Sequence, residues 1–138
     1  MVANRIEREI LIDAPLDVVW AVVTEAEHIS GWFSDTVDLE LRPGGKLSLY
    51  WEDGGTVDGR VERVEPPRFF SFRWAVGDGM TLVEFSLAAD GDGTRLTVVE
   101  TGFAELPGSD EERREHFDDH TRGWEIELGH LRDHVGRR

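Results

Sequence analysis

The chain has 138 residues, of which 39% are hydrophobic, and its formal net charge is −14. That length fits a single domain over residues 1–138, and the negative charge argues against nucleic acids and anionic membranes as partners. There are no cysteines, which excludes disulfides, cysteine-ligated zinc and a cysteine nucleophile. The sequence has no run of about 18 apolar residues, so no membrane-inserted helix is predicted. The N-terminus has no basic segment followed by an apolar stretch, so we expect a cytoplasmic protein.

The N-terminal segment predicts one strand followed by two short helices. Residues 4–12 end in an aliphatic run, which indicates a strand. Pro15 then suits the first turn of a helix over residues 15–23, with Asp13 or Ala14 near its cap. A second short helix is predicted over residues 25–32.

From residue 36 the hydrophobic pattern has a period of two, which is typical of strands with one buried face. Turn signals separate six such segments, as in an antiparallel meander. The turns are Pro43-Gly44-Gly45, Asp53-Gly54-Gly55, Pro66-Pro67, Gly77-Asp78-Gly79 and Asp90-Gly91-Asp92-Gly93. In this register Glu84, Glu100, Arg60 and Arg73 are predicted to point outward, and a shift of one residue would reverse that.

The C-terminal segment predicts a long amphipathic helix over about residues 110–136, with Ser109 or Asp110 at its cap. Its apolar stripe consists of Phe117, Thr121, Trp124, Leu128, Leu131 and Val135. No other element is long enough to cover the apolar side of the meander. We therefore expect an α+β fold in which a curved antiparallel sheet wraps around this helix. Such a sheet tends to leave a cavity under the helix.

Aromatic residues concentrate on the surfaces that this arrangement would bury. They predict either a ring-lined pocket for a flat or apolar ligand or a core that the rings fill. The candidate ligand-binding residues from these patterns are Trp51, Phe72, Trp74, Phe85, Phe117, His120, Trp124 and Leu128.

Four histidines lie on one flank of the predicted long helix: His116, His120, His130 and His134. Spacing of four residues can chelate a metal, but the HExxH pattern is absent and no third ligand is evident, so we predict no metal and no cofactor. Only His120 lies close enough to the stripe to act as a ligand contact or a general acid or base. The sequence contains no GxSxG, Walker A or dinucleotide-binding motif, and no catalytic residue is assigned.

Short motifs accompany this order of elements. They are Ala14-Pro15-Leu16-Asp17-Val18-Val19-Trp20, Trp32-Phe33, Pro43-Gly44-Gly45, Glu65-Pro66-Pro67-Arg68, Asp92-Gly93-Thr94-Arg95 and Gly123-Trp124. Together they resemble the SRPBCC superfamily, which has the START-like helix-grip fold. Within it the chain is similar to the branch of homologues of the heat-shock-protein ATPase activator. The resemblance spans nearly the whole chain.

The resemblance implies a helix-grip fold with the two short helices between the first and second strands. It also implies that Trp32 and Phe33 lie near the entrance of a cavity. The superfamily includes lipid carriers, hormone receptors, polyketide cyclases and stress proteins, so the fold alone does not fix a function. Eukaryotic activators join this domain to a second, chaperone-binding domain, which this sequence does not show. The resemblance is therefore not taken to imply that this chain activates a chaperone.

Three functions remain open. The leading hypothesis is a module that binds a small hydrophobic molecule (a lipid, an aromatic or a polyketide-like compound) in a preformed cavity. A cyclase- or hydrolase-type enzyme predicts a deep pocket with a buried ionisable residue of perturbed pKa. A protein-interaction role, as a chaperone cofactor, a stress-response module or a homodimer, predicts a large exposed apolar patch.

Overall fold

The computed structural model describes residues 3–136. Its elements are β1 (Arg5–Ile12), α1 (Leu16–Thr24), α2 (Ala26–Trp32), β2 (Thr36–Leu39), β3 (Lys46–Trp51), β4 (Gly55–Glu65), β5 (Phe69–Val76), β6 (Gly79–Asp90), β7 (Gly93–Thr101) and α3 (Asp110–Gly136). The strands form one antiparallel sheet in the order β1-β7-β6-β5-β4-β3-β2. The predicted α+β architecture, with two short helices after the first strand and a long C-terminal helix, is confirmed. Within residues 3–136 no helix is long and apolar enough to cross a membrane.

The core lies between one face of the sheet and the apolar stripe of α3. Alternate residues of β7, such as Leu96 and Val98, are almost fully buried, because successive side chains of a strand point to opposite faces. The helix contributes Trp124, Leu128, Leu131 and Val135. The two periodicities of the sequence thus place apolar side chains on surfaces that face each other.

The helix ends differ slightly from the predicted ones. Pro15 has an extended backbone and precedes α1 without a side-chain cap, so the first helix begins one residue later than predicted. At the start of α3, the Glu112 amide donates to Ser109 Oγ at 3.1 Å, and the Ser109 amide donates to Glu112 Oε1 at 3.1 Å. This reciprocal pair is a capping box, and it fixes where the long helix begins.

The short helix α2 is held between α1 and the end of α3. Trp32 Nε1 donates to the Val22 carbonyl at 2.9 Å, which joins α2 to α1. His28 Nδ1 lies 3.0 Å from His134 Nε2 on α3. Gly31 permits this approach, because a Cβ at that position would lie 2.6 Å from the His134 ring. These contacts fix the position of the residue that follows α2, Phe33.

The strands β4 and β5 approach closely at Gly59, which pairs with Leu47 on one side and Trp74 on the other. A Cβ on Gly59 would overlap the backbone oxygen of Arg73. We predict that Gly59→Ala lowers the free energy of unfolding by about 1–3 kcal/mol, because the two strands must separate beside Trp74. Urea denaturation measures this change.

Gly129→Ala is the control, and we expect it to change the free energy of unfolding in the opposite direction. A Cβ on Gly129 in α3 meets nothing within 4 Å. Replacing a glycine inside a helix should therefore raise the stability by up to about 1 kcal/mol. A Gly59→Ala variant as stable as the unaltered protein would contradict the close approach of β4 and β5.

Candidate ligand-binding cleft

A cleft of about 290 Å³ opens beside α3, and four aromatic rings line it. Phe33 stacks against Trp74 with ring centroids 5.8 Å apart and against Trp124 at 5.6 Å. Trp74 and Trp124 are 5.9 Å apart, with an interplanar angle of 24°. Trp51 meets Phe33 edge-on at 5.4 Å, and its Nε1 donates to the Phe33 carbonyl at 2.7 Å. The other lining residues are Asp119, His120, Gly123, Ile126 and Glu127.

A fully buried carboxylate, Glu100, lies behind these rings. Its Oε2 accepts hydrogen bonds from Trp74 Nε1 at 3.0 Å and from the Thr81 hydroxyl. Its Oε1 accepts from Trp124 Nε1 at 2.8 Å, and His120 Nδ1 lies 2.9 Å from both oxygens. A buried charge is tolerated only where it is paired and hydrogen-bonded. Glu100 meets both conditions.

The charge state of Glu100 determines which nitrogen of His120 carries a proton. Burial alone would raise the pKa of Glu100. The hydrogen bond and the positive charge of His120, with the bonds from Thr81 and Trp74, outweigh burial and hold this pKa below its usual value. Glu100 is therefore ionised at neutral pH, and His120 Nδ1 is the donor. His120 Nε2 makes no hydrogen bond to any residue between 3 and 136, while the ring itself lines the cleft.

Glu127 forms a second polar part of the cleft wall. Its Oε1 lies 2.8 Å from His130 Nδ1, whereas its Oε2 is buried and has no hydrogen-bond partner among the described residues. Burial raises the pKa of Glu127, and the neighbouring His130 only partly opposes this. A buried acceptor without a partner is unfavourable, so this oxygen is an unsatisfied polar atom in the cleft wall.

The predicted ligand-binding residues fall into two groups. The cleft brings together Phe33, Trp51, Trp74, His120 and Trp124. The other predicted residues lie outside the cleft. Trp32, Phe72 and Phe85 line an interior void of only about 20 Å³. Phe117 packs edge-on against Phe103 at a centroid distance of 5.4 Å, and Leu128 is buried in the core. The interior is therefore nearly filled by rings, and the open volume lies at its edge.

The outward assignment of Glu100 is wrong, since its side chain is fully buried. It follows Leu96 and Val98 along β7 at intervals of two residues, and both are core residues. The alternation itself therefore places Glu100 on the core face. The other charged residues assigned to the outer face are not part of the core: they are Glu84, Arg60 and Arg73.

Sequence analysis also missed Glu127 and Gly123. Both flank the apolar stripe near Trp124, and this spacing is the signal that could have indicated them. The histidines of α3 make separate contacts: His120 with Glu100, His130 with Glu127, and His134 with His28. Among residues 3–136, no three His, Cys, Asp or Glu side chains form a group that could hold a metal ion.

An antiparallel sheet with one long C-terminal helix and two short helices after its first strand defines a helix-grip protein of the SRPBCC type. Within that class, residues 13–136 match the family model of the Activator of Hsp90 ATPase homolog 1-like proteins. The chain belongs to this family. Among curated proteins no significant match is found.

Several solved structures are similar. Protein MLL2253 from Mesorhizobium loti is 24% identical with a TM-score of 0.87, over 97% of this chain and 98% of that chain. CalU16 from Micromonospora echinospora is 30% identical with a TM-score of 0.75, over 95% of this chain and 75% of that chain. DynU16, a protein of the dynemicin biosynthetic locus, is 25% identical with a TM-score of 0.82, over 97% of this chain and 48% of that chain.

We predict that Glu100→Gln lowers the free energy of unfolding at neutral pH by about 3–5 kcal/mol, because an amide would turn a donor nitrogen toward groups that are themselves donors. The lowered pKa means that ionised Glu100 stabilises the fold above the usual value of 4.5. This stabilisation is lost as the pH falls through the lowered pKa, so the difference between the two proteins should shrink below pH 4.5.

Urea denaturation over a pH series measures both effects. Glu84→Gln on the adjacent strand is the control, because Glu84 does not belong to the core. Its expected change is within about 0.5 kcal/mol. Equal stability of Glu100→Gln and the unaltered protein at neutral pH would contradict a structural role for the buried carboxylate.

Proposed function

We propose that the protein binds a compact small molecule with a flat apolar ring system in the cleft. The observation that carries this proposal is the stack of Phe33, Trp74 and Trp124 beside an open volume of about 290 Å³. Phe33 and Trp51 are only partly buried, and they offer ring surface against which a flat ligand packs. The volume is at the lower end of the roughly 300–1,000 Å³ of typical ligand sites, which favours a compact molecule over a lipid with long acyl chains.

The filled interior supports the same choice of ligand. The void among the rings beneath the cleft has about 20 Å³, roughly the space of one water molecule, and an acyl chain does not fit there. The relationship to DynU16, a protein of the dynemicin biosynthetic locus, is compatible with a role in small-molecule biosynthesis.

A protein-interaction role gains less support, because the exposed large apolar side chains of the described residues lie on separate elements. These are Leu11, Leu41, Tyr50, Met80 and Ile126.

A pair of glycines on α3 provides a direct test of binding in the cleft. Gly123 lines the cleft and Gly129 is exposed on the same helix, and a Cβ on either meets nothing within 4 Å. We predict that Gly123→Leu fills the cleft and weakens binding of a flat aromatic probe such as 2-naphthol by about tenfold or more. Quenching of tryptophan fluorescence during titration measures the affinity.

Gly129→Leu is the matched control. Both substitutions replace a helical glycine by a better helix former, so both should leave the fold at least as stable. Only Gly123→Leu should weaken binding of the probe. If both variants bind 2-naphthol as tightly as the unaltered protein, the cleft is not the binding site.

A second candidate function is acid–base catalysis on the bound ligand, and the pair Glu100–His120 favours it. In the neutral form of the imidazole, the proton lies on Nδ1, toward the Glu100 carboxylate, and Nε2 has the lone pair. A carboxylate behind an imidazole lets Nε2 act as a general base. The His120 side chain is 23% exposed, so a ligand in the cleft can reach it.

Hydrogen–deuterium exchange at the acidic C–H groups of 2-tetralone, a flat bicyclic ketone, tests this activity. His120 Nε2 would take the proton from carbon, and solvent would return a deuteron. We predict that His120→Gln slows the exchange by about 100-fold and that His116→Gln, on the same helix but outside the cleft lining and the Glu100 network, leaves it unchanged. NMR in heavy water measures the rate. Equal rates for His120→Gln and the unaltered protein would remove the catalytic function and leave the binding function standing.

A further inference from the structure

The polar atoms of the cleft that still need a partner are hydrogen-bond acceptors. Glu127 Oε2 is buried without a partner among the described residues. His120 Nε2, with the proton held on Nδ1 by Glu100, is an acceptor in the neutral ring. A ligand that satisfies either atom must bring a donor to it.

The surroundings of these two acceptors favour a positively charged donor. The lining residues include no Lys or Arg, and the other charged member, Asp119, pairs with Arg122 at the surface. The faces of aromatic rings attract cations, and tryptophan does so most strongly. Three tryptophans line this cleft: Trp51, Trp74 and Trp124.

The negative potential extends beyond the cleft. Glu127 also borders a neighbouring surface groove that contains Asp35, Glu52 and Asp53. The whole chain carries a net charge of −14. Charge of one sign around a low-dielectric cleft raises the local concentration of oppositely charged ligands.

We infer that the cleft recognises an organic cation, a compact aromatic amine whose ammonium group pairs with Glu127 Oε2 while its ring packs against the aromatic wall of the cleft. This inference rests on the proposed binding function and names the chemical class of the ligand. Burial raises the pKa of Glu127 in the free protein, and a bound cation would supply the compensating charge.

Three probes with one ring system test the inference: 2-naphthylmethylammonium, 2-naphthylmethanol and 2-naphthoate. They differ in charge and share the flat bicyclic ring. Calorimetric titration at physiological ionic strength screens the long-range attraction of the net charge, so differences report contacts in the cleft. We expect the ammonium to bind about tenfold more tightly than the alcohol and the carboxylate to bind most weakly.

The near-isosteric substitution Glu127→Gln should abolish the preference for the ammonium and leave the affinity for the alcohol within about twofold, because only the charge of the cleft changes. Glu115→Gln is the matched control, since it removes the same charge from an exposed position of α3 outside the cleft. It should keep the full preference. Circular dichroism confirms that each variant is folded, and the comparison of probes on the unaltered protein remains decisive if one is not.

The outcomes separate the two proposals. If the alcohol binds the unaltered protein as tightly as the ammonium, the cation inference is overturned and the proposed binding function stands. If none of the probes binds, both are overturned. If folded Glu127→Gln retains the preference, Glu127 is not the counter-ion and the inference fails in that form.

Discussion

The buried carboxylate of Glu100 is the interaction on which the site depends. It lies on β7 and accepts hydrogen bonds from Trp74 on β5, Thr81 on β6, and His120 and Trp124 on α3. Because an ion in the core is stable only with these donors in place, it fixes the orientation of every side chain that supplies one. Three of those side chains, Trp74, His120 and Trp124, are walls of the cleft. The core and the candidate site are therefore parts of one network.

This network makes the cleft rigid before any ligand arrives. Trp74 and Trp124 are each held by an indole hydrogen bond to Glu100, and Phe33 stacks on both. A ligand that binds against fixed rings would not have to order them, so less of its interaction energy would be lost to side-chain entropy. The small interior void is lined by other rings, such as Phe72 and Phe85, which pack closely without a hydrogen bond to Glu100.

The order of elements could be predicted because the strands from residue 36 onward and the long helix have clear periodicities and Pro15 indicates the first short helix. The buried stripe of α3 from Trp124 to Val135 is where the helical spacing placed it. Glu100 shows why the site could not. The alternation from Leu96 and Val98 places it on the core face, where a carboxylate is rarely found unless it is paired. The donors that make its burial tolerable lie 19 to 26 residues away along the chain. Convergence of that kind depends on sheet register and helix packing, which local patterns do not specify.

The contrast between Glu100 and Glu127 explains why one carboxylate has a structural role and the other is proposed as the counter-ion of a ligand. Both are partly or fully removed from water, and burial pushes the pKa of each upward. At Glu100 the surrounding donors reverse that effect, and both oxygens are satisfied within the protein. At Glu127 only Oε1 has a partner, and the pKa remains raised. A fully satisfied ion has nothing left to offer a ligand, whereas a half-satisfied one gains from a cation.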